Sequence, residues 1–194
     1  VGGLRDVTLD VESQLLQSRA LRLHARAQER GGTWRAGVTG TAGTAEDPWQ
    51  LQVDDLAYQT ESGDLRIGRV ALSHVDSLLT LAGALRGSGT LRADLRFERF
   101  ALHDLLAALA IPSPGFEAEL GGTAHLAGTT SMPTIQANLA LSSVRYEELR
   151  DLSAEVAVAY GTTSARVDAT IALADAGTVT TAGGAEWGRP LPVS

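Results

Sequence analysis

The sequence predicts a mainly β chain built as an antiparallel meander. Three observations point there: apolar and polar residues alternate with period two, glycine-rich turn chemistry separates the alternating runs, and no strand-helix-strand rhythm occurs. The last excludes doubly wound nucleotide-binding folds, which cover both faces of a parallel sheet with helices.

Alternation matters because successive side chains of a strand point to opposite faces. In Ala20 to Gln28 one face is Leu21, Leu23, Ala25 and Ala27, and the other is Arg22, His24, Arg26 and Gln28. Trp34, Ala36 and Val38 oppose Arg35 and Thr39, and Trp49, Leu51 and Val53 oppose Gln50, Gln52 and Asp54. Leu91, Ala93, Leu95 and Phe97 alternate with Arg92, Asp94, Arg96 and Glu98; Phe116, Ala118 and Leu120 flank Glu117 and Glu119. Ile135, Ala137, Leu139 and Leu141 oppose Gln136 and Asn138, while Val167, Ala169, Ile171 and Leu173 oppose Arg166, Asp168 and Thr170. Val156 and Val158 join the inward set, and no inward position of these runs is charged.

Turns are expected at Gly31-Gly32, Gly40 to Pro48, Glu61 to Asp64, Gly87 to Gly89, Pro112 to Gly115, Gly128 to Pro133, Gly161 to Ser164, Ala176-Gly177 and Gly183-Gly184. One stretch has helical spacing instead. Leu102, Leu105, Leu106 and Leu109 fall at i, i+3, i+4 and i+7, which predicts a short helix over about 101–111, ended by Pro112 and Pro114. Alone it is too short to be stable, so its stripe must pack on the apolar face of the sheet. A second short helix around Ser13 to Gln17 is a further candidate.

At 194 residues the chain reads as one domain, or one segment of something longer, spanning 1–194. It opens on Val1 without Met and stops at Pro192-Val193-Ser194, which suggests a piece of a longer polypeptide whose anchor or targeting signal lies outside it. No stretch reaches the roughly 18 apolar residues of a membrane-spanning helix. The net charge of −7 argues against a nucleic-acid partner, because neutralising phosphates requires clustered cations. With no cysteine, disulfides and thiolate metal sites are excluded.

Chemistry-bearing motifs are missing from the reading. His24, His74, His103 and His125 are scattered without metal-ligand spacing and read as surface residues. Glu61 and Asp64 flank a glycine turn but lack the further oxygen ligands of a calcium loop. Gly87-Ser88-Gly89-Thr90 has neither the lysine nor the helix of a phosphate loop, and no nucleophile elbow occurs. Neither catalysis nor a cofactor is expected. The inward face is rich in alanine, which fits two arrangements: a curved sheet that holds something else, or a sandwich with a small-residue core.

The segment Leu120-Gly121-Gly122-Thr123-Ala124-His125-Leu126-Ala127-Gly128-Thr129, followed by Pro133-Thr134-Ile135-Gln136-Ala137-Asn138-Leu139-Ala140-Leu141, resembles the TamB family and its AsmA-like relatives. That family is the inner-membrane subunit of the translocation and assembly module. The leucine stripe before this segment, with its Ile111-Pro112 exit, and the terminal Gly188 to Val193 are similar to such chains too. The resemblance implies a sheet curled lengthwise into a half-pipe, a β-taco, with an apolar concave interior. It implies a periplasmic place in the cell envelope, with an inner-membrane anchor outside this segment. The implied role is a conduit that moves phospholipids between the two membranes, linked to outer-membrane biogenesis. An Omp85-class outer-membrane protein is the implied candidate partner, and assembly or secretion of outer-membrane proteins the alternative role. A plain structural stalk or adhesin is a further alternative. The acyl chains would lie against Leu21, Leu23, Trp34, Val38, Trp49, Leu51, Val53, Leu91, Leu95, Phe97, Phe116, Leu120, Ile135, Leu139, Leu141, Val156, Val158, Val167, Ile171 and Leu173.

Overall fold

The computed structural model describes residues 5–15, 19–43, 48–103, 115–146, 149–173 and 177–187. Strands follow one another along the chain: β1 (Arg5–Leu15), β2 (Arg19–Arg30), β3 (Thr33–Gly43), β4 (Pro48–Gln59), β5 (Asp64–His74), β6 (Ser77–Leu85), β7 (Thr90–Ala101), β8 (Phe116–Thr129), β9 (Met132–Tyr146), β10 (Leu149–Tyr160), β11 (Ser164–Leu173) and β12 (Gly177–Glu186). Their hydrogen-bonded order is the sequence order, and it ends at β1 and β12 without closing on itself. The pairings from β1 to β6 and from β8 to β12 are antiparallel. The chain divides into two compact units, Val1–Leu95 and Arg96–Ser194.

Turn chemistry explains the tight reversals. Gly31 and Gly32 both have positive φ, 58° and 75°, the backbone of a two-residue hairpin turn that favours glycine, and they join β2 to β3. Other expected turns are narrower than the glycine pattern suggests. Gly40 to Gly43 belong to β3, and Gly128 and Pro133 lie inside β8 and β9. Gly183-Gly184, expected as a turn, is strand: the pair sits within β12, opposite Val167 and Arg166. The reversal between β5 and β6 has neither glycine nor proline. Val75, with φ 53° and 85% exposed, turns the chain with Asp76 between β5 and β6.

The alternation slips phase at fixed places, and each slip is a bulge. In β4 the apolar set runs Trp49, Leu51, Val53, then resumes at Leu56; the extra residue is Asp55, with φ 54°. In β5 it runs Leu65, Ile67, then Val70, with Gly68 and Arg69 facing one residue of β6. In β7 Phe97 is followed by Phe100, past Arg99 at φ 46°. In β9 Leu141 is followed by Val144, past Ser143 at φ 53°. A non-glycine residue held at positive φ costs about 1–2 kcal/mol. Without the slip, Phe100 and Val144 would face water, and burying such side chains contributes about 1.5–3 kcal/mol each. Phe100 is 2% exposed and Val144 7%, so burial wins.

The short helix expected over about 101–111 lies outside the described residues except at its first positions; of its stripe only Leu102 is described, half-buried. The second helix candidate is corrected in part. Ser13 to Leu15 continue β1, because their backbone pairs with Leu21 to Arg19, and the remaining residues lie outside the described set.

Close approach of β8 to β9 depends on Gly122, whose φ is +123° and where a Cβ would stand 2.2 Å from the Asn138 carbonyl oxygen. Gly122→Ala is expected to destabilise the protein by about 2 kcal/mol or more. The urea midpoint measures it, and an unchanged midpoint would show that this glycine does not set the spacing.

Candidate functional site

Antiparallel pairing puts opposed residues on the same face, so the register can be read as rows crossing the strands. In Val1–Leu95 three such rows run from β1 to β6. The first is Val7, Ala27, Ala36, Leu56, Ile67 and Gly83; the second Leu9, Ala25, Val38, Val53, Val70 and Leu81; the third Val11, Leu23, Gly40, Leu51, Leu72 and Leu79. Every member is aliphatic or glycine. Leu91 and Leu95 belong to the same face, since Gly83 lies against Ala93 between them, where a Cβ would stand 3.0 Å away.

The second unit repeats the arrangement. Leu120, Leu141, Ala154, Ile171 and Val179 form one row, and Gly122, Leu139, Val156, Ala169 and Thr181 the next. Then follow Ala124, Ala137, Val158, Val167 and Gly183, and after them Leu126, Ile135, Tyr160, Ala165 and Ala185. Phe97 and Phe100 meet edge to face across the bulge, with ring centroids 6.1 Å apart.

Apart from Leu21, Phe116 and Leu173, the expected lining residues fall by register or by alternation on this face of their strands. Only the backbone is described for Leu21, Phe116 and Leu173. Leu105, Leu106 and Leu109, expected to pack on that face from the helix, lie outside the described residues. Sequence reading missed β1, with Val7, Leu9 and Val11, and β5 and β6, with Ile67, Val70, Leu72, Leu79 and Leu81. The signal in β1 was plain alternation; in β5 the phase slip hid it, and in β6 apolar residues occupy both faces.

Burial decides how this face is used. Among the described residues no apolar side chain of Val1–Leu95 is buried, and in Arg96–Ser194 only Phe100, Ala118, Leu120, Ala137 and Val144 are. The row residues of β2 to β6 and of β8 to β10 are half-buried, apart from the buried Leu120 and Ala137. In β1, β11 and β12 exposure rises: Leu9 is 57% exposed, Val167 44% and Val179 57%. A closed sandwich core would bury these positions almost completely.

The opposite face is polar and internally paired. Glu12 and Arg22 form an ion pair at 2.9 Å and Glu117 and Arg145 one at 3.6 Å, and His24 Nδ1 lies 2.6 Å from Asp10 Oδ1, all between opposed strand positions. Such exposed pairs contribute at most about 1 kcal/mol each. Arg166 donates to both Asp168 oxygens, at 2.7 and 3.0 Å, and this hydrogen bond holds the carboxyl below its ordinary value. Shallow depressions lie on this polar face, where small residues sit between long ones. One of about 370 Å³ is lined by Arg22, His24, Thr39, Thr41, Gln50 and Gln52, and one of about 350 Å³ by Asn138, Ala140, Glu155, Ala157, Asp168 and Thr170. Among the described residues no three His, Asp or Glu side chains are grouped to hold a metal ion.

Compared with protein-family models, curated proteins and solved structures, the chain matches none.

A carboxyl with a lowered folded-state pKa stabilises above its unfolded value of about 3.9 and loses that contribution as pH falls through the folded value. The Asp168 carboxyl is therefore expected to titrate by NMR below ordinary aspartates, and to move back up in Arg166→Gln. An unmoved Asp168 titration in that variant would refute the pairing.

Proposed function

We propose that this chain is a section of a lipid-transfer conduit, in which the apolar face of each unit receives the acyl chains of phospholipids. The observation that carries the reading is the set of uncharged rows crossing consecutive strands, left half-buried or exposed among the described residues. Bulges bend strands, and here those of β4 and β5 fall beside one another, at Asp55 and Gly68, while β9 has one at Ser143-Val144, opposite Ala118 of β8. Such aligned bends support a curved sheet with the apolar side inward.

Energetics favour this use. Exposing acyl chains to water costs about 0.8 kcal/mol per CH₂, so two long chains cost on the order of 20 kcal/mol. A trough that keeps them covered removes most of that barrier, and the headgroup can stay in water. The walls need only be apolar and unobstructive, which Ala, Val, Leu and Ile satisfy without polar recognition groups. On this reading the segment works in the cell envelope between two membranes, with an Omp85-class protein as the partner at the outer one.

Among the described residues β12 pairs with β11 alone, which favours a second role. Its residues Gly177 to Glu186 are all exposed, and the strand lacks the proline, lysine or run of charge that usually blocks an edge. A client strand of an outer-membrane protein could add there by backbone pairing.

Gently purified protein is expected to carry phospholipid detectable by mass spectrometry. Leu139→Asp, Val167→Asp and Val70→Asp should each abolish carriage while the far-UV circular dichroism stays that of the parent. Lipid-free native protein would refute the conduit. Binding of unfolded barrel peptides that survives these substitutions, but is lost in Thr180→Pro, would establish the second role instead.

A further inference from the structure

Among the aromatic residues of the apolar faces, those with a polar tip lie at the ends of the strands, whereas Phe97 sits inside β7. In Val1–Leu95 one end row contains Trp34 paired with Tyr58, flanked by Glu29 and Arg5, whose side chains form an ion pair at 3.7 Å. At the other end Trp49, opposite Ala42, stacks on His74 with ring centroids 4.6 Å apart and planes 14° off parallel. In Arg96–Ser194 the Tyr160 ring lies 6.1 Å from that of Trp187, whose indole Nε1–H donates to the Thr162 carbonyl at 2.7 Å, beside the β10–β11 hairpin. All three tryptophans of the chain are thus at strand ends, while the rows between Trp34 and Trp49 are aliphatic or glycine throughout.

Trp, Tyr and His each combine an apolar ring with a polar tip, and such side chains settle where hydrocarbon gives way to water. A face that only packed against another sheet would have no need to sort its aromatics in this way. The width agrees. Trp34 and Ala42, in the two end rows, are eight residues apart along β3, about 27 Å at the usual antiparallel rise of roughly 3.4 Å per residue. The hydrocarbon of a bilayer is about 30 Å thick, so one leaflet's chains span about 15 Å. Chains entering from both ends of the strands would meet near the middle of the band.

We infer that the end rows are headgroup-level rims: phospholipids lie with their ester region at Trp34 and Tyr58, at Trp49 and His74, and at Tyr160 and Trp187, and their acyl chains run inward along the strand direction. This rests on the conduit reading and adds to it an orientation. It assigns Trp34, Tyr58, Trp49, His74, Tyr160 and Trp187 to positioning the headgroup rather than lining the hydrocarbon.

The tryptophans themselves supply the test. The full chain is loaded with phosphatidylcholine brominated either next to the ester or in the terminal third of the acyl chains, loading is quantified by mass spectrometry, and tryptophan fluorescence is read. Quenching about twofold or more stronger from the ester-proximal label is expected. Trp34→Phe with Trp49→Phe leaves Trp187 as sole reporter for the second unit, and Trp187→Phe leaves the first; each should give the same order. Bound lipid with equal or stronger quenching from the terminal label overturns the rim assignment while the conduit stands. Native protein that takes up no lipid overturns both.

Discussion

In an antiparallel ladder a shift of one residue carries every side chain of a strand to the opposite face, and the two faces of this chain have opposite chemistry. One presents rows such as Leu9, Ala25, Val38, Val53, Val70 and Leu81; the other presents Asp10, His24, Thr39 and Gln52 at the neighbouring register positions. A slip anywhere would put carboxylates among leucines and break the rows for every strand beyond it. The register is held by hairpins too short to slide, such as Gly31-Gly32, and by cross-strand side-chain pairs on the polar side, Glu12 with Arg22 and Asp10 with His24. It is corrected by bulges wherever the spacing of apolar residues changes from two to three. Asp55, Arg99 and Ser143 accept strained backbone so that Leu56, Phe100 and Val144 stay with their rows.

This explains how the sheet tolerates so little complete burial. Each inner strand shields its apolar side chains against two neighbours, while backbone pairing satisfies the amides on both sides. What the rows leave accessible is hydrocarbon-like surface of uniform character. A partner with hydrocarbon of its own can cover it without any matching of shape, which is the physical ground for proposing a lipid.

Much of this was legible beforehand. Meander topology, strands β2 to β4, β7 to β9 and β11, and the apolar identity of their inward residues follow from alternation alone, because a period of two has one structural meaning. β5 was not recognised, since Gly68-Arg69 changes its phase midway and the halves look like noise until the bulge is known. β12 was mistaken for a turn at Gly183-Gly184, where strand pairing with Val167 and Arg166 overrides the local preference of glycine. The reversal at Val75-Asp76 carries no turn signature in its composition. The segregation of tryptophan to strand ends was invisible for a different reason. Alternation tells which face a residue takes, and only the pairing register tells which row it shares.

Because each described strand pairs only with those next to it in sequence, a hairpin can form as soon as its own residues are available, and most have short loops to close. The architecture is modular in the manner of a repeat array. Adding or removing a hairpin at β1 or β12 changes the number of strands in the sheet without disturbing the pairing of the rest, so the apolar rows can lengthen or shorten by whole hairpins.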